Sequence, residues 1–261
     1  MRIPVAALFL LATSLILHGN ILPNACALSQ ILILALSGFI GLVLGDSCYF
    51  KALVILGPRL SSLMGASTPI FAVVIAWIFL DQRLAAVDLL GIALTIAGLC
   101  WVVLERNHNS FGGRPGRKWP GYLLGTCGSL GQATAITLAK VGMRDNIQPL
   151  NATFIRMAAA ALSIVILARL TGIHRGVGDA LKNNRVMIAI IAAAFVSPFI
   201  GVWLSLMSIQ FTQIGIASTL MATTHLWVIP LVMIIHKERP SFRAIAGTII
   251  AVAGVSILFL H

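Results

Sequence analysis

Charge is what this sequence has least of. Only 10% of its 261 residues are Asp, Glu, Lys or Arg, and only seven are acidic. A water-soluble domain carries about 25% charged residues, so a chain that is 59% hydrophobic cannot cover its own surface in water. The four cysteines, Cys26, Cys48, Cys100 and Cys127, form no CxxC pair, and three fall inside apolar runs. They read as small packing residues, which argues against a metal or redox centre, and the sequence offers no cofactor site. The strict alternation and turn spacing of a membrane β-barrel are missing. So are HExxH, GxSxG and any pair of buried acids, which argues against an intramembrane enzyme. Only Met1 and Arg2 precede the first apolar run, and more such runs follow, a pattern of membrane segments rather than of a cleaved leader.

What is present is apolar length. The mean hydropathy is +1.01, and a spanning helix needs about 20 mostly apolar residues. Nine segments qualify as predicted transmembrane helices: 3–17, 31–50, 58–80, 85–104, 121–141, 154–170, 186–207, 214–235 and 242–260. The fold class expected is therefore all-α and integral to the membrane. The longest gap, 105–120, is polar and glycine-rich and reads as a linker between 1–104 and 121–261.

A net charge of +11 would suggest nucleic acid in a soluble protein. Here the basic residues sit between apolar runs, as topology charges do, and no nucleic-acid partner is expected. With nine spans, fourteen Lys and Arg, among them Arg2, Lys51, Arg114, Lys118 and Arg185, fall on the Met1 side. Only Arg83, Lys140, Arg144 and Arg156 fall on the other. The bias puts the Met1 side in the cytoplasm and His261 outside, in a multi-pass protein of the cytoplasmic membrane.

The two sides of the linker match each other. A shift of 156 places Phe39 on Phe195, Gly45 on Gly201, Ser62 on Ser218, Gly91 on Gly247 and Gly98 on Gly254. A shift of 154 places Arg2 on Arg156. On this alignment the second side holds five helices and the first holds four, so the first helix of repeat one is missing. An odd number of helices per repeat inverts the second copy, and inverted repeats are typical of secondary transporters.

The stretches "GLVLGDSCYFKAL", "TPIFAVVIAWIFLDQRL" and "GIALTIAG", followed later by "GVWLSLMSIQFTQIGIASTL" and "HKERPSFRAIAGTIIAVAG", resemble the two halves of an EamA-type member of the drug/metabolite transporter superfamily. The resemblance implies ten helices in two inverted five-helix repeats, a central solute cavity, and movement of small metabolites. Asp81 stands where the family usually has Glu, and His225 where Pro is common.

Several residues are candidates for the site. Asp46, the one acid expected at depth, reads as a proton or substrate-amine site, or as half of an ion pair with Lys51. His225, amid 214–235, reads as a proton carrier or as a packing histidine. Gln132, Trp203 and Thr224, with Ser62, Thr68, Ser205, Ser218 and Thr223, are candidates to line a cavity, although hydroxyls also bond their own helices. Arg156 reads as a snorkelling interface residue or as an anion site. Asp81 and Glu238 end helices just before another begins, where the dipole of the next helix favours an acid, and read as structural. Pro69, Pro198 and Pro230 are expected to kink helices.

The function expected is secondary active transport of small metabolites or drugs, with export as the direction and a proton as candidate coupling ion. The partners expected are a small-molecule substrate and the lipid bilayer. A lipid-linked substrate carrier and a non-transporting membrane scaffold subunit are the alternatives. Spacing alone leaves the oligomeric state open.

Overall fold

In hydrocarbon every backbone amide must be bonded within its own element, and a helix does this locally. The computed structural model describes residues 2–18, 27–105, 117–144, 147–170, 172, 184–224 and 242–260, and every regular element among them is helical. In chain order these are α1 (Arg2–His18), α2 (Leu28–Gly38), a first π segment (Phe39–Gly45), α3 (Asp46–Ala66), α4 (Thr68–Leu80), α5 (Ala86–Glu105) and α6 (Trp119–Gly142). Then come α7 (Pro149–Leu170), α8 (Asn184–Ala194), a second π segment (Phe195–Gly201), α9 (Val202–Phe211), α10 (Ile214–Ala222) and α11 (Phe242–Leu260). Among the described residues, five stretches are long and apolar enough to cross a membrane. The shorter Arg2–Ile16 and Ile245–Phe259 are also apolar. All nine segments expected from sequence carry helix in their described residues.

Large apolar side chains point outward, as a lipid solvent favours: Ile16 is 82% and Phe79 74% exposed. The interior is instead rich in alanine, with Ala6, Ala52, Ala72, Ala133, Ala135 and Ala139 buried. Small residues let helix backbones come close, which is how helices associate where lipid tails are as apolar as leucine.

The chain forms two compact units, each drawing on both sides of the linker. The first comprises Met1–Val43 and Leu138–Phe211. In it α7 packs against α1, α2 and α9. Ile3, Ala6, Leu10, Met157 and Ala160 form its core. An aromatic run of Phe9, Phe195, Phe199 and Trp203 joins α1 to the second π segment and α9, with centroids 5.3–6.2 Å apart. Gln30 on α2 donates to the Arg144 carbonyl at 2.9 Å.

The second unit comprises Leu44–Thr137 and Thr212–His261. Its strongest packing pairs α5 with α11. Gly98 lies against Gly247 and Ala251, while Gly254 lies against Gly91 and Thr95. The order of these contacts makes the pair antiparallel. A Cβ on Gly98 would sit 2.5 Å from the Ala251 nitrogen, so only glycine permits this spacing. On α6, Gly121, Gly125 and Gly128 likewise receive Leu56, Met64 and Tyr49 of α3.

Pro69 lies in the first turn of α4, two residues after Ser67, which divides the apolar span Leu60–Leu80 between α3 and α4. A break that was not expected comes earlier, at Gly57, whose φ of 81° is open to glycine, just before Pro58. Asp81 ends α4, as expected, capping its C-terminus in the left-handed region at φ 50°. The acid in the first turn of α5 is Asp88, which accepts from the Ala85 amide at 3.0 Å. Pro198 lies within the second π segment. Glu238, Pro230 and most of the 105–120 linker lie outside the described residues.

Candidate functional site

Asp46 is placed by the first π segment, which ends at Gly45. A π turn widens the helix and redirects the residues after it, and such turns recur at functional sites. The Asp46 carboxylate accepts a hydrogen bond from the Gln132 amide nitrogen of α6 at 2.8 Å. Gln132 can reach it because Gly128, one turn earlier, brings the α6 backbone against Tyr49 and Gly45. A Cβ there would lie 3.1 Å from the Tyr49 nitrogen.

Asp46 and Gln132 border a cavity of about 280 Å³ in the second unit. Tyr49, Thr68, Ser129 and Ser218 add polar groups, and Ile136, Met221 and Ala222 add apolar surface. The serine hydroxyls are largely committed to backbone. Ser129 is within reach of the Met64 and Gly125 carbonyls, and Ser218 donates to Gly215 at 3.0 Å. Tyr49 shares a hydrogen bond with Ser62, which donates to the Pro58 carbonyl at 2.7 Å and so ties the cavity wall to the helix break. Among the described lining residues Asp46 is the only one with a formal charge. Such a wall suits a proton or the cationic end of a small solute with an apolar body.

The other expected site residues part from this pair. Trp203 belongs to the aromatic run of the first unit. Thr224 is exposed and donates to the Met221 carbonyl at 2.8 Å, two residues beyond the cavity wall. Thr223 and Ser205 likewise bond their own helices. His225 lies outside the described residues. Tyr49, Gly65, Gly128, Ser129 and Met221 line the cavity without having been singled out for it. Of these, Gly128 carried a readable signal, since it extends the Gly121–Gly125 spacing on one face of α6.

Two charged residues differ from expectation. Asp88, in the first turn of α5, is a second buried acid, 6% exposed. Arg156 neither opens a helix nor snorkels. It is the eighth residue of α7, 4% exposed, and its Nε has no hydrogen-bond partner.

No curated protein matches the sequence. One solved structure, titled only "Crystal structure of protein", matches with a TM-score of 0.76 at 17% identity. The alignment covers 99% of this chain and 84% of that one, a likeness of fold. The model of the EamA-like transporter family matches residues 1–104 and 119–260, nearly the whole chain. With apolar spans throughout, this is a multi-pass integral membrane protein, and the chain belongs to the EamA-like transporter family of the drug/metabolite transporter superfamily.

Proposed function

We propose that this membrane transporter is a secondary active exporter of small metabolites or drugs across the cytoplasmic membrane, that it is coupled to protons, and that the Asp46–Gln132 cavity is its solute site. One observation carries the reading. A carboxylate deep in an apolar run, held by an amide at 2.8 Å, borders a cavity of about 280 Å³ with no other formal charge on its described lining. An ionisable group within a membrane is costly to keep and is found where it serves a pathway. In the protonated state it is neutral, and in the ionised state it attracts a cation, so proton and solute can compete for one carboxylate. The antiparallel packing of α5 on α11, helices related by the internal repeat, supports an inverted arrangement of the kind that gives alternating access.

The test begins with purified protein in mild detergent. Amino acids, sugars, nucleosides, drugs and lipid precursors are screened for thermal stabilisation at two pH values. A specific solute raises Tm saturably by mass action. The response should depend on pH in the wild type and lose that dependence in Asp46→Asn. A saturable response with the same pH dependence in both removes Asp46 from the mechanism.

A further inference from the structure

A guanidinium inside a membrane helix without a counter-charge is a group waiting for one. Arg156 sits in the interior of the first unit, one-third of the way along α7, and is 4% exposed. Its Nε has no hydrogen-bond partner. Buried charges are otherwise paired, because an unpaired one costs several kcal/mol of desolvation. The first unit supplies no candidate among its described residues, since its only acids, Asp145 and Asp179, fall outside them. Nearby polar groups on α7 are engaged elsewhere. Thr153 donates to the Pro149 carbonyl at 2.6 Å, and Asn151 accepts from Ser14 of α1 at 3.4 Å.

The residues one turn either side of Arg156 are small. One turn before Arg156 stand Ala152 and Thr153, and one turn after stand Ala159 and Ala160, so the helix face around it is built of small side chains. Gly38 of α2 lies against the Arg156 backbone carbonyl, which fixes the position from which the side chain projects. A guanidinium presents Nε–H and Nη–H as a fork that matches two oxygens of a carboxylate or phosphate.

We propose that Arg156 is an oxyanion-binding site within the first unit, taking the carboxylate or phosphate group of a ligand. The test reads binding and its loss in Arg156 variants, so the proposal stands or falls independently of the transport reading.

The full chain is purified in neutral detergent, and Tm is followed while sodium benzoate, succinate or inorganic phosphate is added, with chloride at equal ionic strength as control. In a second arm it is placed in phosphatidylcholine discs with and without phosphatidylglycerol. The wild type should show a saturable rise in Tm with at least one soluble oxyanion and none with chloride. Stabilisation by phosphatidylglycerol alone assigns the oxyanion to a lipid headgroup. Arg156→Met should raise the ligand-free Tm, because it removes a buried charge with no acidic partner among the described residues, and should abolish the response. Arg156→Lys keeps the charge but loses the fork, so it should respond with affinity weaker by roughly tenfold. A wild type that answers no oxyanion in either arm overturns the proposal. So does a response that Arg156→Met retains, or a lower ligand-free Tm in that variant, which marks a guanidinium already paired.

Discussion

Gln132 holds Asp46 by a charge-assisted hydrogen bond, the kind worth about 1.5–3 kcal/mol. Replacing it with Leu should lower stability by about 2 kcal/mol in thermal unfolding. In an Asp46→Asn background the same replacement should cost less, because the charge that strengthens the bond is gone. Equal costs in both backgrounds would show that the two residues act separately. Asp46 was legible from sequence because an acid within an apolar run stands out. Asp88, four residues into the predicted 85–104 segment, was not singled out, and its burial shows only once the Ala85 cap and the packing around it are seen. Arg156 was misread for a related reason. The apolar run begins at 154, yet α7 begins at Pro149, and the polar Asn151 and Thr153 between them are buried against the rest of the unit. Hydropathy marks what faces lipid and misses polar turns that face protein.

The two π segments are the clearest element-scale trace of the internal repeat. The second, Phe195–Gly201, lies 156 residues after the first, Phe39–Gly45, the same shift that aligns the sequence halves. After the first stands Asp46, and after the second stands Val202, so the halves share a backbone feature and differ in the charge it presents. The widened turns themselves were not legible, since the second holds Pro198 while the first holds no proline, so no shared proline marks both. The glycines of α5 and α11 were legible as matched positions of the repeat, though not as partners of each other. Gly98→Ala would force a Cβ to within 2.5 Å of the Ala251 nitrogen, so it should destabilise by about 1–3 kcal/mol. Gly201→Ala meets its nearest atom at 3.5 Å and should change Tm little. Thermal unfolding of the two variants side by side checks the contrast, and a Gly98→Ala protein as stable as Gly201→Ala would contradict the close packing.

At the scale of the molecule, hydropathy located the spans but not their neighbours. The contact units regroup the chain, combining Met1–Val43 with Leu138–Phe211 and Leu44–Thr137 with Thr212–His261. Such groupings depend on which small residues meet across helices, a pairing no single segment encodes. Orientation rests on the Lys and Arg bias, and it has a direct test. In a background without the four native cysteines, Arg83→Cys should react with a membrane-impermeant maleimide in intact cells. Arg114→Cys, in the linker, should react only after lysis. The reverse pattern would invert the topology.

The central claim is that the Asp46 carboxylate couples protons to solute in the cavity it borders. It is tested most directly by solute-driven proton movement in liposomes carrying a trapped pH dye, with a solute that stabilises the purified protein. Adding that solute to wild-type vesicles should change the internal pH, and the Asp46→Asn protein should still bind it while moving no protons. An unchanged proton signal in Asp46→Asn would contradict the account.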